Sequence, residues 1–73
     1  MTRVLGIDPG SRVTGYGVIE TDGSRSRHLG SGCIRTAAGS FPDRLGEIFQ
    51  GVREVLLQWQ PQEVAVEQVF VSR

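Results

Sequence analysis

The sequence predicts a mixed α/β fold: an antiparallel meander of three strands, one crossover helix, and a fourth strand parallel to the first. Three observations carry this. A short apolar run, Val4-Leu5-Gly6-Ile7, stops at Asp8 and a Pro9-Gly10 turn. Apolar residues recur at steps of three and four between Phe41 and Trp59. A second short run, Glu63-Val64-Ala65-Val66-Glu67, again stops at an acid. Runs of four to eight apolar residues bounded by turn signals read as buried strands, and a three-four spacing reads as a helix.

In the first strand, Asp8 stands where the chain leaves the core. Pro9 presets φ and Gly10 accepts φ > 0, which makes the turn. Asp8 is also an ordinary turn residue, because Asp side chains cap their own turns. Ser11 and Arg12 follow as loop, and Val13 to Thr21 is the second strand. Gly15 and Gly17 are two apart and share one strand face. A strip without side chains leaves room for another backbone or a bulky ligand. Asp22-Gly23-Ser24 is a hairpin signal, and Arg25 to Thr36 is the third strand. His28 reads as a solvated strand residue and Cys33 as a small packed hydrophobe. No second His or Cys stands at metal-ligand spacing, which argues against a His/Cys metal site.

Ser40 and Asp43 resemble a capping box, and Pro42 fits the first helical turn. Phe41, Leu45, Ile48, Phe49, Val52, Val55, Leu56 and Trp59 then form one apolar face. Arg44, Glu47, Gln50, Arg53, Glu54 and Gln58 fill the other, and Pro61 ends the helix. About eighteen residues at 1.5 Å rise span roughly 27 Å, the length of a strand of about eight residues. Such a connection is a right-handed crossover that returns a parallel strand. Two hairpins make the third strand parallel to the first, so the fourth is parallel to the first as well. Side by side, these two strands bring Asp8 and Glu67 to one edge of the sheet.

Seventy-three residues make one small domain at most. A chain of that size buries only about 60% of its unfolded surface and is marginal without staples or partners. A single cysteine excludes an internal disulfide and points to a reducing compartment. The sequence shows no secretory signal and no run approaching the ~18 apolar residues of a membrane helix, so a soluble, cytoplasmic protein is expected. Eight arginines balance eight acids with no lysine; this neutrality counts mildly against nucleic-acid binding, which usually leaves a basic footprint. The apolar ending, Val69-Phe70-Val71-Ser72-Arg73, reads as that of a fragment.

Two ionised carboxylates about 4 Å apart repel by ~4 kcal/mol at an effective dielectric of 20. One must take a proton, or a cation must sit between them. Mg²⁺ commonly binds through one or two carboxylates plus substrate phosphate. Two such ions ~3.5–4 Å apart activate an attacking water and stabilise a leaving oxygen. Two ions carry four positive charges against the two negative charges of Asp8 and Glu67. The remaining acids do not end strands: Asp43, Glu47 and Glu54 belong to the helix, Glu20 and Asp22 flank the hairpin, and Glu63 opens the fourth run. Half of a two-metal site is present.

Gly6 to Gly17, Leu29-Gly30-Ser31-Gly32-Cys33-Ile34-Arg35-Thr36 and Glu67-Gln68-Val69-Phe70 together resemble the bacterial RuvC Holliday-junction resolvases. The likeness covers the whole chain through three ordered motifs. It implies an RNase H-like fold, of which residues 1–73 form the N-terminal portion of a single nuclease domain. It implies structure-selective cutting of four-way DNA junctions in recombination and repair, by a homodimer using Mg²⁺ held by four acids. A partnership with the RuvA–RuvB branch-migration complex and a place at the bacterial nucleoid follow from the same likeness. Asp8 matches the family's first catalytic aspartate and Glu67 its fourth-strand glutamate, both metal ligands. Phe70 matches an aromatic set against bases at the junction crossover; a core or dimer contact is its other reading. Arg12 is a candidate phosphate contact or a plain loop charge. The family's Asp-x-x-Asp-type pair, fifth strand, dimer helix and much of its basic surface have no counterpart in residues 1–73. The fragment alone is therefore expected to be inactive.

Three rivals stand beside this reading. Gly6 to Ser11 also fits the phosphate loop of actin and sugar-kinase type ATP-binding modules, and a related RNA-processing nuclease family shares the Gly-x-Asp-x-Gly opening. A non-catalytic interaction fragment is the third. The Gly-Ser-Gly-Cys-Ile-Arg-Thr and Glu-Gln-Val-Phe segments favour the resolvase.

Overall fold

The computed structural model describes residues 1–10, 13–37 and 39–67. Four strands, β1 (Thr2–Asp8), β2 (Val13–Thr21), β3 (Ser26–Arg35) and β4 (Glu63–Val66), and one helix, α1 (Phe41–Trp59), follow in the order β1-β2-β3-α1-β4. They form a mixed sheet of spatial order β3-β2-β1-β4. β1–β2 and β2–β3 are antiparallel, and β4 runs parallel to β1. The topology and helix agree with the sequence expectation.

Local chemistry fixes the β2–β3 hairpin and both ends of α1. The Asp22 carboxylate accepts from the Arg25 N–H at 2.8 Å and the Ser24 N–H at 3.0 Å, closing the β2–β3 hairpin. Gly23 takes φ 99° there, a conformation that glycine adopts without a Cβ penalty. The Ser40 Oγ caps α1 by accepting from the Asp43 N–H at 3.4 Å. At the other end Gln60 turns left-handed, φ 47°, and its N–H closes on the Leu56 carbonyl at 2.9 Å. Pro61 follows, so the helix cannot continue.

The core is small. Leu5, Val18 and Val55 are buried, with Ile7, Tyr16, Leu29 and Trp59 packed around them. Gly30 and Gly51 permit this approach: a Cβ at Gly30 would stand 2.6 Å from the Trp59 ring, and one at Gly51 2.6 Å from Ile34. A register shift between Val18 and Ile19 makes Leu29 the extra residue of a bulge, and Leu29 joins the core margin.

The apolar face of α1 is wider than the sheet it covers. Val55 is buried, and Ile48, Val52 and Trp59 are half-buried, whereas Phe41, Leu45, Phe49 and Leu56 are exposed, Phe49 at 72%. On a 100° wheel Leu45, Leu56 and Phe49 fall on the flank of α1 away from β3. On β4, Val64 and Val66 stand opposite the core residues Leu5 and Ile7, yet both are exposed. Cys33 is also exposed rather than packed. It pairs with Gly15 on the face opposite the helix, which no element covers among the described residues.

Candidate active site

The helix-free face of the sheet carries the acids. Antiparallel pairing sets Gly6 opposite Gly17 and Asp8 opposite Gly15. Parallel pairing sets Gly6 beside Ala65 and Ile7 beside Val66, and the Glu67 N–H donates to the Ile7 carbonyl at 2.9 Å. The next residues in the same register are Asp8 and Glu67. Successive side chains alternate between faces, so both carboxylates leave the sheet on the same face and at the same edge. Gly6, Asp8, Gly15, Gly17, Ala65 and Glu67 line one open groove of about 490 Å³.

The floor of this groove is bare. A Cβ at Gly15 or Gly17 would meet nothing within 4 Å, and one at Gly6 only a backbone oxygen at 3.9 Å. An extended backbone therefore has access to the sheet beside two exposed acids.

Asp8 and Glu67 supply hard carboxylate oxygens, the donor type that Mg²⁺ takes. Among the described residues neither has an ion-pair partner; the one ion pair joins Arg3 and Glu20 at 3.2 Å. Their placement on one rim fits a shared divalent cation. No group of three or more His, Cys, Asp or Glu side chains gathers at metal distance among the described residues.

A larger groove, about 930 Å³, lies between α1 and β3 and is lined by Asp43, Glu47 and Glu54 among others. Its acids are spread along a helix, and Glu47 already accepts from the Ala37 N–H at 2.7 Å. This groove does not gather two strand-end acids. Arg12 and Phe70 lie outside the described residues. Gly6 and Ala65, which complete the bare floor, were absent from the sequence-derived site; period-two alternation from Asp8 and Glu67 is the signal that finds them.

A four-stranded mixed sheet with a crossover helix and two acids at one edge defines the first part of an RNase H-like fold. The family model for "Crossover junction endodeoxyribonuclease RuvC" matches residues 4–73. The chain belongs to the RuvC family. It is 58% identical over 73 residues to the RuvC of Alkalilimnicola ehrlichii, covering all of this chain and 44% of that relative. The structure of T. thermophilus RuvC in complex with a Holliday junction substrate superposes with a TM-score of 0.85 at 36% identity, over 100% of this chain and 46% of that one. The chain thus spans less than half the length of these relatives. The Ppx/GppA phosphatase of Aquifex aeolicus gives a TM-score of 0.70 at 17% identity, over 90% of this chain and 26% of the other, a likeness of fold alone. No helix among the described residues is long and apolar enough to cross a membrane.

Proposed function

We infer that residues 1–73 supply the Asp8–Glu67 half of the metal-dependent active site of a structure-selective endonuclease acting on four-way junction DNA. The observation that carries this reading is the β1–β4 register, which sets the two acids next to one another on the open face. Membership of the RuvC family and the solved relative bound to a Holliday junction support junction DNA as the substrate.

Asp8, at the end of β1, and Glu67, one residue past β4, would hold Mg²⁺ through carboxylate oxygens. Bound there, the ion supplies activation of a water and charge stabilisation for phosphodiester hydrolysis. The chain's own contribution is position. The β1–β4 register carries both acids to one edge, and the floor at Gly6, Gly15 and Gly17 admits a sugar-phosphate backbone to them. Two ions per complete site need two more acids from elsewhere in the full-length protein. Arg12 and Phe70 are proposed DNA contacts, to a phosphate and to a base at the crossover. A homodimer, association with the RuvA–RuvB complex and a place at the cytoplasmic nucleoid belong to the same proposal.

The test is cleavage of a synthetic four-way junction by the full-length protein, with Mg²⁺ and with chelator. Mg²⁺-dependent cutting that Asp8→Asn or Glu67→Gln lowers by at least a hundredfold is expected. Cutting that survives both substitutions would overturn the assignment, and nucleotide binding without junction preference would favour an ATP-binding module.

A further inference from the structure

At the end of the β1–β4 ladder opposite the acids stands a second, reciprocal contact. The Gln62 N–H donates to the Arg3 carbonyl at 2.9 Å, and the Arg3 N–H donates to Gln62 Oε1. The Arg3 guanidinium donates to the Trp59 carbonyl at 2.8 Å and to Glu20 Oε2 at 3.2 Å. The Trp59 carbonyl is one of those a helix leaves without an intrahelical partner at its C-terminus. One point thereby fastens β1, β2, the last turn of α1 and the turn into β4.

Arg3 and Gln62 are 59 residues apart. That is the spacing of every β1–β4 pair from Val4↔Glu63 to Ile7↔Val66, and also of Asp8 and Glu67. A slip of one residue would send every β4 side chain to the opposite face. Glu67 would then leave the acid-bearing face. Burial usually forbids such a slip, but here it acts weakly: all four β4 residues are exposed, Val66 at 59%. Glu67 lies one residue past the last strand pair, and its N–H reaches the Ile7 carbonyl at 2.9 Å only in this register, so its place depends on what holds the register.

We propose that Gln62, seated on the Arg3 backbone, is a positioning residue: its side chain locks the register that sets Glu67 beside Asp8. This rests on the reading of Asp8 and Glu67 as a shared cation site. The two are separable by experiment.

The probe is Mn²⁺ alone, titrated into the full-length protein, with free Mn²⁺ followed by electron paramagnetic resonance and unfolding followed in parallel. Glu67→Gln tests the underlying site and should weaken Mn²⁺ binding at least tenfold; wild-type binding in that variant would sink the site itself. With that established, Gln62→Ala should raise half-saturating Mn²⁺ about three- to tenfold, the range of one net hydrogen bond. Gln62→Glu keeps an acceptor oxygen and should return binding to within about twofold of wild type. Wild-type Mn²⁺ binding in Gln62→Ala, with only the melting temperature lowered, would show a merely structural contact and overturn the proposal. Equal weakening in the Ala and Glu variants would overturn it too. Should Gln62→Ala fail to fold, Gln62→Asn, one methylene shorter, takes its place with the same two outcomes.

Discussion

Gly17 and Gly30 lie on opposite faces of the β2–β3 pair, and the same kind of substitution at each should have opposite consequences. A Cβ at Gly30 would stand 2.6 and 2.8 Å from two carbons of the Trp59 ring. Carbon atoms prefer about 3.5–4.0 Å, so the indole must shift by roughly an ångström. Its own carbonyl is held by Arg3 at 2.8 Å, which limits that shift. Overpacking of this kind costs about 1–3 kcal/mol, and replacing a strand glycine returns about 0.5–1 kcal/mol. Gly30→Ala should therefore lose roughly 1 kcal/mol, a drop of about 0.3–1 M in the urea midpoint at ordinary slopes. At Gly17 a Cβ meets nothing within 4 Å, so Gly17→Val should match or exceed wild type in urea. It should weaken binding of a four-way junction at least tenfold, about 1.4 kcal/mol, because its side chain fills the floor beside Asp8. Both measurements belong on the full-length protein, with junction binding measured in chelator to prevent cutting. A Gly17→Val protein that binds junctions like wild type would refute the open floor as a substrate path. A Gly30→Ala midpoint at or above wild type would refute the Trp59 packing.

Other outcomes follow from single contacts. Ser40→Ala removes the α1 cap; because the Ser40–Asp43 bond is long at 3.4 Å, a loss near ~0.5 kcal/mol, the low end for N-caps, is expected in urea unfolding. The Asp22 carboxyl is held below the usual carboxylate range, chiefly by the Arg25 N–H and then by Ser24. Its contribution to stability is therefore complete above the unfolded carboxylate pKa and lost as pH falls through the lower folded value. Asp22→Asn should be less stable than wild type at neutral pH and converge with it in acid, as unfolding midpoints across pH would show. The isolated 73-residue chain, with two acids to offset two divalent ions, should give no Mg²⁺-dependent nicking of a junction. It should also bind a hydrophobic dye through Phe41, Leu45 and Phe49, which are exposed at 64, 50 and 72%; nicking or an absence of dye binding would contradict these two expectations.

Much of the fold is legible because its signals are local. Val13 to Thr21 is a strand-like segment between turn signals, and it is the strand observed; Ser40, Pro42 and Pro61 bracket α1 as capping chemistry requires. The pairing of Asp8 with Glu67 is legible one level up, since two hairpins and a crossover leave the first and fourth strands parallel. The fold by itself does not fix the family, since a phosphatase superposes on it at 17% identity. The family match along residues 4–73 does fix it. What the sequence hides is non-local. Nothing near Arg3 announces Gln62, because their contact depends on a register set across 59 residues. Hydrophobic spacing likewise announces an apolar face on α1 but not how much of it the sheet covers. Cys33 reads as a packed hydrophobe by residue type, whereas its exposure depends on which face the helix takes.

Asp8 and Glu67 are proposed to serve one cation. Backbone amide resonances of the full-length protein, followed by nuclear magnetic resonance during Mn²⁺ addition, test it most directly. The amides of residues 8 and 67 should broaden together, at lower Mn²⁺ than those around Asp43, Glu47 and Glu54. Broadening at one strand end without the other, or first along α1, would contradict it.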